Sequence, residues 1–253
     1  MATDARLHVN PTGDLLEAAR DCEADVFWQW YRNTREEMER EYGPYEDRSV
    51  FLAVTDAHDD VTAVMRLIAP GGPAGLKTLT DVNAEPWNVD GRRAAMAAGL
   101  DLSTTWEIAT LGSRRRQAAS SIRNSMALYF GFGVLARVNA MSAFVSILDD
   151  RVRRLLDMVG LATLPLPGTR AGAYLGSAAS TPVYGVTSTM ADNQRRDHPD
   201  AFALIAMGHG LDGVSVPTDE EFLLFGRTEV ASRSWLTPRS FVGTVSLPVA
   251  VES

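Results

Sequence analysis

An α/β or α+β chain, with strands and helices intermixed, is what this sequence predicts. Three observations carry that prediction. Residues 14–42 put Leu15, Ala19, Cys22, Val26 and Trp30 at the spacing of one helical face. Residues 49–55 and 61–68 are β-rich runs joined by the polar turn Asp56-Ala57-His58-Asp59-Asp60, a hairpin pattern. From residue 104 onward strand-like and helix-like segments alternate, which is the sign of an intermixed fold.

Each element has a local reason. In the first helix Asp14 and Glu17 form a capping-box pair of the Asp-x-x-Glu kind, and Phe27, Tyr31, Thr34 and Met38 widen the apolar stripe. Gly43-Pro44 stops it. Pro70-Gly71-Gly72-Pro73 forces a loop after the hairpin, and the alanine-rich stretch 91–102 reads as a modest helix. Residues 104–111 read as a strand, 118–138 as a long apolar helix and 141–148 as a strand. Asp149 is then a good N-cap for a helix to Met158, ended by Gly160. Residues 161–166 and 181–189 read as further strands. Past Met190 the texture changes. Residues 193–200 are polar, 200–208 and 218–225 read as short helices, and 240–251 as a strand. We therefore divide the chain into a core domain, 1–190, and an extension, 191–253, packed on it.

Composition bounds the function. The 253 residues suit one large domain, or one domain with an extension, able to bury a core without disulfides. The charge of −8 disfavours nucleic acid and anionic membranes as partners, while leaving room for a local basic pocket. The N-terminal segment has no apolar core of a signal peptide, and the longest apolar run, Met126 to Ala136, is shorter than the about 20 residues a bilayer needs. No membrane span and a cytoplasmic location are the expectation. The single cysteine, Cys22, falls on the apolar side of the first helix and reads as a buried thiol. No two of the histidines at 8, 58, 198 and 209 have metal-ligand spacing, so no metal site is expected. Phosphate-loop, nucleophile-elbow and zincin motifs are absent.

Three features carry chemistry. The segment from Trp106 to Ser121 reads as a strand, a basic turn (Arg114, Arg115, Arg116) and a helix N-terminus with small residues at Ala118, Ala119, Ser120 and Ser121. Helix N–H groups, the dipole and forked guanidinium donors suit a pyrophosphate, and a solvated arginine turn is the alternative. Glu107 lies between Trp106 and Ile108 in an apolar strand. Burial there would raise its pKa and make it a candidate general base. Arg66 is likewise charged within an apolar strand. It is either a solvent-facing residue or the ion-pair partner of Glu107.

The order of these elements resembles the GNAT superfamily of N-acyltransferases, closest to its branch of acyl-homoserine-lactone (autoinducer) synthases and N-acyl amino acid synthases. The residues that carry the resemblance are the aromatics of the first helix (Phe27, Trp28, Trp30, Tyr31), the acidic pair Glu46-Asp47, the stretch Met65-Arg66-Leu67-Ile68-Ala69-Pro70 and the strand pair Trp106-Glu107. The basic turn with its long helix, and the closing segments 142–148, 151–156 and Gly160, complete the set. It covers roughly 14–190. The resemblance implies a central mixed, mostly antiparallel, twisted sheet flanked by helices. It implies an acyl-CoA or acyl-phosphopantetheine donor, the latter on an acyl carrier protein, and a small amine or amino-acid-like acceptor. A signalling N-acyl amide is among the products it implies. The strand after Glu107 would splay near residues 110–112, where Thr110 and Leu111 would meet the thioester. Arg114, Arg115, Arg116, Ala119, Ser120 and Ser121 would hold the donor's phosphates. Glu107 would accept the amine's proton, directly or through water, and Arg66, the other catalytic residue the resemblance implies, would help shape the acceptor side. Trp30, Tyr31, Glu46, Asp47 and Trp106 would shape the acceptor side.

The chain departs from the family in three places. Arg116-Gln117-Ala118-Ala119-Ser120-Ser121 lacks the glycines of the phosphate turn. Ala109-Thr110 replaces the Ser-Arg pair of homoserine-lactone synthases. Residues 149–158 contain no tyrosine for the leaving thiolate, for which Tyr129 and Tyr174 are the substitutes. A non-catalytic GNAT-like module that binds a thioester or a partner is the rival reading. The extension has three open roles: covering the acyl pocket, forming a homodimer contact or binding a partner.

Overall fold

The computed structural model describes residues 4–114 and 118–224, and in 118–122 the backbone alone. The elements are β1 (Ala5–Val9), α1 (Gly13–Tyr31), α2 (Arg35–Tyr42), a 3-10 turn (Gly43–Arg48), β2 (Ser49–Asp56), β3 (Val61–Ile68), α3 (Lys77–Asp81), α4 (Gly91–Ala97), β4 (Thr105–Ser113), α5 (Ala118–Val138), β5 (Ala143–Asp149), α6 (Asp150–Met158), β6 (Leu164–Pro165), β7 (Gly172–Tyr174), β8 (Ser177–Val186), α7 (Thr187–Asp197), α8 (Pro199–Met207) and β9 (Val214–Ser215). Among the described residues one sheet runs β6-β8-β5-β4-β3-β2-β1-β9, with β7 also on β8. Its pairs are antiparallel except β4–β5 and β1–β9. This is the mixed, mostly antiparallel sheet that the sequence resemblance implied.

Helices cover both faces, and β3 shows the consequence. All eight of its residues are buried. Its alternate positions Ala63, Met65 and Leu67 join the cluster under α5, with Leu7, Leu52, Trp106, Leu128 and Leu135. Val64 packs with Ala19 and Cys22 of α1 on the opposite face, and Ile68 with Leu79 of α3 and Ala95 of α4. No position of this strand faces solvent, so Arg66 is a buried charge rather than a surface one.

The first helix is two helices. Arg32, in the left-handed region at φ 65°, ends α1 with its N–H on Trp28 O. Thr34 then opens α2 with a capping box: Glu37 N–H donates to Thr34 Oγ1 at 3.2 Å and Thr34 N–H to Glu37 Oε2 at 2.7 Å. The expected Asp14–Glu17 box does not form. Thr12 is the N-cap, without a side-chain bond, and Glu17 pairs instead with Arg20 and Arg35.

Other boundaries also move. The helix expected over 91–102 stops at Ala97, α3 precedes it, and only Leu164–Pro165 of 161–166 pairs as strand. The strand expected over 181–189 begins at Ser177, and α7 takes over at Thr187 and extends through the polar stretch to Asp197. Residues 219–222 form turns rather than a helix, with Thr218 N–H and hydroxyl both on Glu221 Oε2. The strand expected over 240–251 lies outside the described residues. The 190/191 division falls within α7, and Phe222 beyond it is fully buried in the main cluster.

Candidate active site

The parallel β4–β5 pair is where the sheet opens. Its register runs Thr105↔Ala143, Trp106↔Phe144, Glu107↔Val145 and ends there. At the next step Ser146 Oγ donates to Ile108 O at 2.7 Å, and the strands part. The splay thus begins at Ile108, before the 110–112 position that the resemblance implied. On the other edge, β3 pairs Arg66 with Thr110 and Leu67 with Ile108, so Ala109 is an extra, bulged residue. A bulge re-aims the backbone, and Ala109 has no partner residue on either neighbouring strand.

The gap leads into a mostly apolar cavity of about 100 Å³. Its walls come from β4 (Ile108–Leu111), β5 (Ser146–Asp149), α5 (Tyr129, Phe132), α6 (Val152, Leu156), α1 (Phe27, Tyr31), Tyr42, and the β7–β8 hairpin (Tyr174, Leu175, Ser177). That hairpin turns through Leu175 and Gly176 at φ 42° and 82°. A Cβ on Gly176 would sit 2.3 Å from Tyr31 O, so only glycine lets the hairpin tip rest on the end of α1. Asp149, at the C-terminal end of β5, caps α6 and binds Arg151 and Ser177. Its side-chain bond to Arg151 holds its carboxyl at about 2, with the Ser177 hydroxyl adding to the effect.

A second, charged cleft of about 240 Å³ lies between α1, α2 and β3. At its floor Arg66 grips Glu23 through Nε at 3.0 Å and Nη2 at 2.6 Å, and reaches Glu46 through Nη1 at 3.2 Å. Its guanidinium lies over Phe51 and Tyr42, at 4.5 and 4.8 Å from the ring centroids. Such stacking suits a planar, weakly hydrated cation. Arg66 and Glu23 are only 4 and 2% exposed. Thr110 donates to Glu23 Oε1, so one carboxylate of the cleft touches a residue of the cavity wall. Arg20 ties Glu46 to Glu17 at the rim.

Glu107 sits apart from both. Thr78 N–H donates to its two oxygens at 3.0 and 2.9 Å, and Thr78 Oγ1 to Oε1 at 2.9 Å. The carboxyl therefore caps the first turn of α3. Burial pushes its pKa up to about 7 despite these hydrogen bonds. The Arg66–Glu107 ion pair considered from sequence does not form, because Arg66 turns to Glu23 and Glu46. Next to Thr78, Lys77 is clamped by Glu41 and Asp81 at 2.8 and 2.7 Å, and Tyr174 donates to Asp81.

The other sequence candidates divide. Tyr31, Thr110 and Leu111 line the cavity, as do Tyr129 and Tyr174. Glu46 lines the charged cleft. Trp106 is buried under α5, Trp30 is 48% exposed beside Arg151, and Asp47 is exposed, near the glycine loop at Gly72. Arg114 is committed to Asp25 at 2.6 Å and Val61 O at 2.9 Å. Arg115 and Arg116 lie outside the described residues. Ala119, Ser120 and Ser121 are in the first turns of α5, their side chains outside the described set. Cys22 is buried, and burial pushes its thiol up to about 12.

Glu23, Tyr42 and Thr78 were not singled out from sequence. Only Glu23 had a signal: it shares a helical face with Ala19 and Val26, a carboxylate inside an apolar stripe.

No protein-family model and no curated protein sequence matches the chain. Solved structures do. FeeM, an N-acyl amino acid synthase from uncultured soil microbes, superposes with a TM-score of 0.57 at 10% identity, over 75% of this chain and 93% of its own. BjaI, a CoA-dependent acyl-homoserine lactone synthase solved with SAM and isopentyl-CoA, gives 0.52 at 14% identity, over 87 and 96%. The chain thus shares the GNAT-like α/β fold of these two synthases.

Proposed function

We propose that this protein is an N-acyltransferase that moves an acyl group from a thioester, on CoA or on the phosphopantetheine of an acyl carrier protein, to the amine of a small acceptor. The observation that carries the reading is the parting of β4 from β5 over a bulged Ala109, directly onto an apolar cavity. A thioester needs such a place: its chain is buried in the cavity and its carbonyl meets backbone re-aimed by the bulge. The similarity to an N-acyl amino acid synthase and to a CoA-dependent acyl-homoserine lactone synthase solved with isopentyl-CoA supports the same reading.

In this reading Thr110 and Leu111 flank the donor, and the N–H groups at Ala119–Ser121 with Arg115 and Arg116 meet its phosphates, while Arg114 stays on Asp25 and Val61 O. The acceptor enters by the charged cleft, past Glu46 and Arg66. Positioning then does most of the chemical work, since amide formation from an amine and a thioester is downhill once the two meet. Glu107, the base that the resemblance implies, has its carboxyl raised to about 7, but it lies outside both the cavity and the cleft and is held by Thr78, so it takes no proton directly from an amine there. Among the described residues no helix is long and apolar enough to cross a membrane.

Thermal-shift titration with CoA and acyl-CoAs of increasing chain length tests the proposal. At one hundred times Kd a ligand adds about 2.7 kcal/mol, a rise of roughly 5–10 °C for a domain of this size. Stabilisation should grow with chain length. No shift with any acyl-CoA, nor with an acylated carrier protein, overturns the proposal. The commitment of Glu107 to Thr78 favours the second reading, a module that binds thioesters without turning them over. That reading predicts the same shifts and no amide with any amine supplied.

A further inference from the structure

We infer that the Tyr42 hydroxyl is the side-chain hydrogen-bond donor to the thioester carbonyl at the bulge, an inference that rests on the acyltransferase reading above. Tyr42 is the last residue of α2 and is buried, with its ring in the cavity wall. Its O–H points at Ala109 O, the carbonyl of the bulged residue, at 3.4 Å. A normal O–H···O bond is about 2.7–2.8 Å. The donor is therefore weakly engaged, at the one residue of β4 that has no partner on either neighbouring strand.

Its surroundings fit the role. Arg66 and Lys77 both lie over the ring, at 4.8 and 5.5 Å from its centroid. These cations are themselves fixed, Arg66 by Glu23 and Glu46 and Lys77 by Glu41 and Asp81. The phenol is thus held against two groups that cannot easily move. Burial, with Glu23 and Glu107 nearby, keeps it well above its ordinary pKa, so it stays a protonated donor at any working pH.

The step balances without a change at Tyr42. The amine nitrogen attacks the carbonyl carbon, and the C=O π pair moves onto oxygen, where the Tyr42 O–H meets the growing charge. Collapse restores C=O and breaks C–S. The proton lost by nitrogen ends on the departing thiolate, and Tyr42 keeps its own. Preorganised donors of this kind act on charge that develops in the transition state.

The test is infrared difference spectroscopy of octanoyl-CoA, carbon-13-labelled at the carbonyl, bound to the wild type and to Tyr42→Phe. The wild type should shift the C=O stretch to lower frequency, and Tyr42→Phe should return it toward the free value with Kd changed less than about threefold. Turnover of octanoyl-CoA with hydroxylamine as the amine should fall by about 10²-fold, as for loss of one oxyanion donor. A fluorinated tyrosine at position 42, a stronger donor of nearly the same shape, should move the stretch further, and it serves if Tyr42→Phe does not fold. Binding with the same stretch and turnover in all three proteins overturns the inference alone. A wild type that binds neither octanoyl-CoA nor octanoyl-carrier protein overturns the acyltransferase reading with it.

Discussion

Replacing Glu107 by Gln isolates the cost of an ionised carboxyl in the interior. The group is 3% exposed, and among the described residues its hydrogen-bond partner is Thr78. Its pKa rises from 4.5 to about 7 on folding, with burial the dominant cause. Between those values the folded protein holds a proton that the unfolded chain has lost. Stability contributed by the protonated group is complete below 4.5 and is lost as pH climbs toward and through 7. At about 1.36 kcal/mol per unit the full loss is about 3 kcal/mol, of which about 2.5 falls between pH 5 and pH 8. Tyr42, Lys77 and Asp81 surround the site in both proteins, so their titration cancels in the comparison. Glutamine turns an amide toward Thr78, at a cost of about 1–3 kcal/mol that does not vary with pH. Urea unfolding of both proteins from pH 5 to pH 8 reads the difference. The wild type should lose about 2.5 kcal/mol relative to Glu107→Gln across that range. A difference that stays flat would refute a buried, proton-holding carboxyl at this position.

Four further outcomes are expected. Arg66→Ala strands the buried Glu23 carboxylate and should cost about 3–5 kcal/mol by denaturant unfolding; Arg66→Lys should fall between, keeping the charge without the fork, and a loss below about 1 kcal/mol for Ala would contradict the burial. Cys22 should resist thiol reagents at pH 8 until the protein is denatured, and a free-thiol rate in native buffer would show it to be exposed. Gly112→Ala puts a Cβ 2.4 Å from Val26 Cγ1 and should destabilise by about 1–3 kcal/mol; adding Val26→Ala should recover part of that loss, and strict additivity in the double-mutant cycle would mean the two do not touch. Leu156→Trp, in the α6 wall of the cavity, should abolish the extra thermal shift of long-chain acyl-CoAs while sparing acetyl-CoA; an unchanged chain-length profile would place the chain elsewhere.

Periodicity and local chemistry made the frame legible. The hairpin of 49–55 and 61–68, the helix Ala118–Val138 and the Asp149 cap depend on short-range patterns, and the structure has them within a residue or two. The helix break at Arg32 was legible too, in Thr34-Arg35-Glu36-Glu37, but the apolar stripe on both sides masked that capping box. Short strands such as β7 and β9 have too few residues to show a period, and they form because β8 and β1 offer unpaired edges.

The partners of the buried charges are another matter. Sequence alone determined that Arg66 and Glu107 are charged residues in apolar strands, and that an arginine turn precedes a long helix. Which carboxylate answers which cation was decided by the tertiary structure. Glu23 lies 43 residues from Arg66 along the chain and meets it because α1 crosses β3, while α3 brings Thr78 to Glu107 across a separation of 29. The bulge at Ala109 and the parting of β4 from β5 arise in the same way, from register against two neighbours at once. A buried charge must find a partner or lose its proton, and the chain can satisfy that demand only after the elements have packed.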